Sequence, residues 1–591
     1  MKKISFIIIL LLTVIGFFLR VLPFGYGMSY IDFSDTFLFS KALDLANGIT
    51  HNDFSQFKNP SHYPYFSSYL LLSIFGVFYA IGLIIGVFSS ASEFLNYVIL
   101  HIEQLFEISR IVIAVFGTLL IPLVYLVTKK ILSGITKKWA DIGALLSAFL
   151  MCFSLLHIHY SHLVRPHLLV AFMIFLSFYV YLFLIEKKTL SLYILLGLVG
   201  GLTLGTLHNG FLVIFVLIIG HFLIIQERGR AQNIKFKIKN FVSLNFLFGL
   251  SAFFLTTVIC WPYVLLNLKK ALFLDNKINV SLSGQYVTVG GFTGKGWITA
   301  LKGLILSESG LIVLLITLIL YLVALKKQKG DKYSIENFKY RAGITGALFI
   351  LISHFLVLGA YGTTEYKFAV PLVPFLSMFA GILFGQIMNL VARKKHFYLK
   401  ILIVIFLVFS TIQSIRLSVL VIRKDTRELA AEWIEKNINS SQMIAISSGG
   451  PKFFPSQESL KVKLSLAGPN SLGKRDNLLL TITPENYPAN SRTIFPLWAF
   501  DENEARAYNF IKTQVDYFIW ANQSAGYDFS SLRDTEKQMG TRLGKLVATF
   551  GPFKKPSKIT SGFPTQIYNP IIDLWTLNRM GPIIEIYKIN N

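Results

Sequence analysis

Apolar runs long enough to cross a lipid bilayer recur about twelve times in this chain. A run of about 20 residues spans the hydrocarbon core as a helix, and in lipid only helices or closed barrels satisfy their own backbone. The runs fall at 4–22, 67–89, 109–131, 140–157, 167–186, 190–208, 210–226, 241–261, 307–326, 343–361, 368–390 and 398–421. A multi-pass α-helical membrane protein with about 12–13 transmembrane helices is expected. With 54% hydrophobic and only 15% charged residues, the chain is no ordinary soluble domain.

A formal net charge of +25 would point to nucleic acid in a soluble protein. Here the excess lies in short loops between spans, at Lys129-Lys130, Lys137-Lys138, Lys187-Lys188, Arg228 to Lys239, Lys326 to Lys329 and Arg393 to Lys395. Such clusters mark cytoplasmic loops and meet anionic head groups, so membrane lipids are the implied partner and nucleic acid is not. Cys152 and Cys260 both fall inside apolar spans, where they read as small buried hydrophobes. Lys2-Lys3 followed by Ile4 to Leu19 resembles a signal peptide but lacks a small-x-small site, so it reads as an uncleaved first span.

After Arg423 both charge signs appear and Pro, Gly and Ser multiply. The chain thus divides into a membrane module, 1–424, and a soluble α/β domain, 425–591. Asp425 to Ile434 reads as an amphipathic helix, and Met443 to Ile446, Leu478 to Ile482, Tyr517 to Trp520 and Ile583 to Tyr587 read as strands. The Lys/Arg loops place the tail outside, yet twelve crossings from an inside N-terminus would return it to the cytoplasm. A thirteenth crossing at Ala91 to Ile108 is expected to resolve this. The long loops 23–66 and 263–306 then lie outside with the tail, where a membrane enzyme would build its site.

The first of those loops carries Asp32 and Asp35, ahead of an amphipathic stretch that runs to Gly48. A carboxylate at the membrane boundary is a functional candidate, and Ser34 or Asp35 would equally serve as a helix N-cap. His157, His159 and His162 precede Arg165-Pro166-His167 in a polar stretch between two spans. No acidic residue lies near them, which argues against zinc. Arg165 as a snorkelling side chain, Tyr366-Lys367 as an interfacial anchor and His208-Asn209-Gly210 as a plain turn are the structural alternatives. Gly290 to Gly296 lacks the Gly-Lys-Ser/Thr ending and strand–helix context of a nucleotide loop.

Six pieces in order resemble the GT-C membrane glycosyltransferases of the protein-mannosyltransferase and aminoarabinose-transferase type, family 39-like. They are the acidic first loop, His62-Tyr63-Pro64-Tyr65, Arg110 with Phe116-Gly117-Thr118, and His157 to His167. Tyr366-Lys367 with Pro371 and Pro374 follows, and then Ala430 to Ile434 with Gly581 to Tyr587. That family often has adjacent acids in the first loop, whereas Asp32 and Asp35 are three apart.

The resemblance implies GT-C architecture in a bacterial inner or plasma membrane, with the C-terminal domain external. It implies transfer of a sugar from a polyprenyl-phosphate donor to a lipid, glycan or protein acceptor at the external face. Asp35 would be the base with Asp32 as its neighbour or substitute. Arg165, Lys367, Tyr366, His162, His159, His157 and Arg110 would line the donor, and His62, Tyr63 and His208 the acceptor cavity. The motifs call for no cofactor and leave a divalent cation open. A lipid-linked sugar transporter and a non-catalytic cell-envelope scaffold are the alternatives.

Overall fold

The computed structural model of the protein describes residues 2–25, 36–50, 52–53, 55, 63–228, 243–263, 295–327, 338–359, 366–390, 396–500, 503–522, 530–553, 571 and 573–590. The chain forms two compact units. One is built from Met1–Val21, Asp35–Ile74 and Ser109–Ile415, the other from Leu22–Ser34, Phe75–Ile108 and Arg416–Asn591. Among the described residues eight helices are long and apolar enough to cross a membrane, or up to ten if each of two bent pairs is one span. Two shorter apolar helices accompany them. This is an integral membrane protein.

The helices follow the apolar runs closely. They are α1 (Lys2–Val21), α2 (Thr36–Thr50), α3 (Phe66–Ile84), α4 (Ala91–Leu100) and α5 (Ile102–Leu132). Next come α6 (Ala140–Cys152), α7 (Leu155–Ser161), α8 (Pro166–Lys187), α9 (Leu190–Leu204), α10 (Val213–Arg228) and α11 (Leu244–Cys260). The set ends with α12 (Lys295–Ser307), α13 (Ser309–Lys327), α14 (Phe338–Gly359), α15 (Val373–Leu390) and α16 (His396–Ile422).

Lipid tails are as apolar as leucine, so spans are held together by close packing and small residues. α6 and α15 meet at Gly143 and Gly381, where a Cβ on Gly143 would stand 2.5 Å from the Gly381 carbonyl oxygen. α9 and α11 are brought together in the same way at Gly197 and Gly249. The start of α3 is tied to this layer: the Tyr65 amide donates to the Cys260 carbonyl (2.7 Å) and the Phe66 amide to Gly205 (2.9 Å).

The second unit is an α/β domain with a five-stranded sheet. Its strands are β1 (Ile444–Ile446), β2 (Ile494–Pro496), β3 (Tyr517–Ala521), β4 (Gly544–Phe550) and β5 (Ile584–Ile589), in the order β2-β1-β3-β5-β4. β2, β1 and β3 are parallel, and β5 runs antiparallel to both β3 and β4. Helices α17 (Thr426–Asn437), α18 (Gln457–Ala467), α19 (Lys474–Leu479), α20 (Glu504–Gln514) and α21 (Ser530–Leu543) complete it. Side chains of β3 alternate between two cores. Phe518 and Trp520 join Phe510 and Ile511 of α20, while Ile519 and Ala521 join Ala430 and Ile434 of α17.

Two sequence expectations change here. Leu478 to Ile482, read as a strand, begins inside α19, because Leu479 is buried with Leu460 and Leu472 instead of pairing in the sheet. Ala91 to Ile108, read as a crossing, is broken at His101, and α4 has only ten residues. At 1.5 Å per residue that is about 15 Å, half the hydrocarbon thickness. α4 docks on the α/β domain instead. Ile99 packs with Leu460, Leu472 and Leu479, and Arg475 Nε donates to the Ile99 carbonyl at 3.0 Å. Burial holds the pKa of Arg475 below its usual value, with Glu103 and Asp476 acting against that shift.

The two ends of the tail are stapled together. Asp425 caps α17 and is paired with Arg427 through two 2.8 Å bonds, both side chains being 1% exposed. The Thr426 hydroxyl donates to the Pro582 carbonyl at 2.6 Å. Beside them Gly581 has φ +104°, and a Cβ there would collide with Thr426 and Asp425. Gly581→Ala is therefore expected to destabilise the domain by about 1–3 kcal/mol, read as a lower midpoint in thermal unfolding.

Candidate active site

Among the described residues of the membrane unit, two pairs of apolar helices are sharply bent at short breaks, and polar side chains gather there. α6 and α7 meet at 47°, and α12 and α13 at 92°. A helix end in lipid leaves carbonyls or amides that need partners. At the end of α6 the partner is Arg20 of α1, which is 1% exposed. Its Nη2 donates to the Met151 carbonyl (2.8 Å), and its Nη1 to those of Cys152 (3.1 Å) and Gly16 (2.9 Å).

At the start of α7 the partner is Glu308, which sits at the bend between α12 and α13 and is 2% exposed. Its Oε1 accepts from the Ser154 hydroxyl (2.8 Å) and the Leu156 amide (3.0 Å). Ser410 and Ser414 of α16 donate to the Phe153 carbonyl between the two helices, at 3.1 and 2.8 Å. A cation thus faces the carbonyl end of α6 and a carboxyl group the amide end of α7, the polarity that helix dipoles favour.

This break aims α7 and the turn after it. His157 is fully buried, and its Nε2 lies 3.0 Å from the Val370 carbonyl in the 3₁₀ segment Tyr366–Leu372. From the other side His354 of α14 places Nε2 3.1 Å from the Phe368 carbonyl. Both contacts are to oxygens, so each ring donates from Nε2. Two histidines therefore clamp the segment that carries Tyr366 and Lys367. Gly117 of α5 closes the arrangement, since a Cβ there would lie 3.1 Å from Ser161 Oγ and 3.5 Å from Arg20.

The His157–His167 stretch and Tyr366-Lys367, hundreds of residues apart in sequence, are brought together. His167 faces Phe368 edge-on at 5.5 Å and Tyr63 at 6.5 Å, and Lys367 Nζ lies 5.2 Å over the Phe368 ring. His159, His162, Arg165 and Lys367 are all buried, with Arg165 immediately ahead of α8. His159 packs on Tyr160 at 4.8 Å. Tyr366 packs on Gly303 of α12. Arg110 is buried on α5, two turns before Gly117 and so on its face.

His208 lies edge-on to Trp261, the residue after α11, at 4.8 Å. Asp32, Asp35 and His62 lie outside the described residues. α2, directly after Asp35, is anchored: Leu38, Phe39 and Ala42 are buried, and Lys41 Nζ lies 4.5 Å over the Tyr65 ring. Among the described residues no three His, Cys, Asp or Glu side chains form a metal-binding group.

Sequence reasoning missed Arg20, Glu308, Ser410 and Ser414. Glu308 had a usable signal, an acid in an otherwise apolar stretch.

No family model matches the chain, and no curated protein does. Solved structures do. The oligosaccharyltransferase of Archaeoglobus fulgidus, solved tethered to an acceptor peptide, is 12% identical, with 100% of this chain and 89% of that one covered and a TM-score of 0.41. AglB of the same organism, in complex with an inhibitory peptide and a dolichol-phosphate, is 13% identical, covering 94% of this chain and 74% of that one at 0.44. ArnT from Cupriavidus metallidurans, bound to undecaprenyl phosphate, is 9% identical, covering 98% and 97% at 0.45. These neighbours are GT-C membrane glycosyltransferases. At such scores and identities no residue role transfers from them, and the chemistry has to come from this chain's own side chains.

Proposed function

We propose that this protein is a membrane glycosyltransferase that takes a sugar from a polyprenyl-phosphate carrier and passes it to an acceptor at the external face. The observation that carries the reading is the placement of Arg165 and Lys367. Both are buried cations of the membrane unit, and His157 ties the segments that bear them to each other. Ionisable groups at membrane depth mark substrate sites. A phosphate head on an apolar tail suits both the charge and the lipid surroundings, and guanidinium binds phosphate as a bidentate fork.

In the proposed reaction the sugar's bond to phosphate oxygen breaks as a bond to the acceptor forms. Asp35, with Asp32 as its neighbour, takes the acceptor's proton, and Arg165 and Lys367 hold the polyprenyl phosphate that leaves. One base suffices, because no covalent glycosyl-enzyme is formed. In this reading the tail domain is external.

Turnover of labelled polyprenyl-phosphate sugars by the purified full-length protein tests this. Arg165→Ala and Lys367→Ala are each expected to lower kcat/KM about ten- to a hundredfold, as loss of a charge-assisted bond worth about 1.5–3 kcal/mol implies. Unchanged turnover in both variants would refute the assignment.

One observation favours a second reading, movement of a lipid-linked sugar across the bilayer. Broken spans with ionisable groups at the breaks are a transporter device, and Arg20 and Glu308 occupy such breaks. Translocation of labelled lipid-linked sugar in liposomes lacking any acceptor would establish that reading and displace the first.

A further inference from the structure

The end of α3 and the whole of α4 form a hairpin that belongs, from Phe75 to Ile108, to the same compact unit as the α/β domain. α3 carries no charged residue over its 19 positions. Inside the hairpin Phe78, Tyr79, Phe88, Phe94 and Tyr97 pack on one another, with Tyr79 and Phe94 at 5.0 Å and Phe88 and Tyr97 at 5.1 Å. Its tip is apolar and bare: Ile84 is 84% exposed and Ile85 67%, with Ile81 and Val87 about half exposed. Contiguous apolar surface of this kind marks an interaction site.

Lipid is the occupant that the observations select. A crossing at α4 is excluded by its length and by its attachment to α18 and α19 through Ile99. If α3 does not cross either, the twelve apolar runs less the one at 67–89 leave eleven. Starting inside, eleven crossings put every Lys/Arg-rich loop named above on the cytoplasmic face and the tail on the other, with no segment left over. Aromatic side chains behind an apolar tip are also the composition of a membrane–water boundary.

We infer that the α3–α4 hairpin does not span the membrane and instead seats its tip, Ile81 to Val87, in the lipid leaflet on the side of the α/β domain. The hairpin would thereby moor that domain to the bilayer surface. This holds whether the protein transfers or moves its sugar.

The test places single cysteines at Ile85 and, as a second position, Val87, in full-length protein whose Cys152 and Cys260 are replaced by alanine. Lys461→Cys, an exposed site in α18, reports the side of the α/β domain. A membrane-impermeant maleimide applied to intact cells and to inverted vesicles should label Ser92→Cys, an exposed site at the start of α4 just beyond the tip, from the same side as Lys461→Cys, and should leave Ile85→Cys unreacted from either side. A bimane attached at residue 85 or 87 should emit to the blue of one at 461. It should lose its signal in vesicles of phosphatidylcholine brominated near the head group. Labelling of residue 92 and of residue 461 from opposite sides would overturn the inference. So would same-side labelling with a water-like emission that brominated lipid leaves unchanged.

Discussion

Arg20→Ala is expected to cost the protein about 3–5 kcal/mol, seen as a large drop in the thermal midpoint of the detergent-solubilised protein and in the yield of folded material. The reason is the number of groups that depend on one guanidinium. Its removal strands the carbonyls of Met151 and Cys152 at a helix end inside the membrane unit. A buried acceptor left without its donor costs about 1–3 kcal/mol, and two such carbonyls together reach a penalty of this size. Arg20→Lys should fall between, because one ammonium cannot reach both carbonyls with the geometry of a fork. Glu308→Gln should be milder than Arg20→Ala, since an amide oxygen can still accept from Ser154 and the Leu156 amide. A midpoint unmoved by Arg20→Ala would show that the break is held by other means.

The second large effect concerns the first loop. Asp35→Asn is expected to lower transfer by about 10²–10⁴-fold, the usual contribution of a positioned general base, with insertion and the thermal midpoint unchanged. Asp32→Asn should have a smaller effect, and the pair of single variants assigns the base by which one abolishes turnover. The anchoring of α2 supports the contrast. Asp35 directly precedes a helix held by buried Leu38, Phe39 and Ala42 and by the Ser68 hydroxyl on the Leu38 carbonyl (3.2 Å), whereas Asp32 lies a further three residues away. Full activity in Asp35→Asn together with loss in Asp32→Asn would reverse the assignment, and full activity in both would remove the base from this loop.

The sequence made the spans legible because an apolar run in lipid has one solution, a helix. Even the ends agree to a few residues, as with 167–186 against Pro166–Lys187. The polar stretch from His157 to His167 stood out for the same reason, against apolar surroundings. What pattern could not supply was pairing at a distance. Arg20 read as the end of a first span, and nothing in its neighbours names a partner 131 residues on, the carbonyl of Met151. His157 was expected to line the donor, and nothing in its neighbours names the Val370 carbonyl, 3.0 Å from its Nε2, as a partner. The segment Ala91 to Ile108 misled because its apolar residues fit a short span as well as a helix docked on a soluble domain. Only its contacts with Leu460, Leu472 and Leu479 separate the two.

The strand order of the α/β domain carries a consequence for its biosynthesis. Among the described residues β5 follows the other four strands in the sequence yet lies between β3 and β4, and β4 reaches the sheet through it alone. Until Ile584–Ile589 has emerged from the ribosome, β3 presents an open edge and β4 has nothing to pair with. The staple at Asp425 and Thr426 also waits for Gly581 and Pro582. β1, β2 and β3 can pair as they emerge, but β4 joins them only once β5 is in place. The sheet completes in one late step, so a premature stop before residue 584 would leave two unpaired β edges for the quality-control machinery to find.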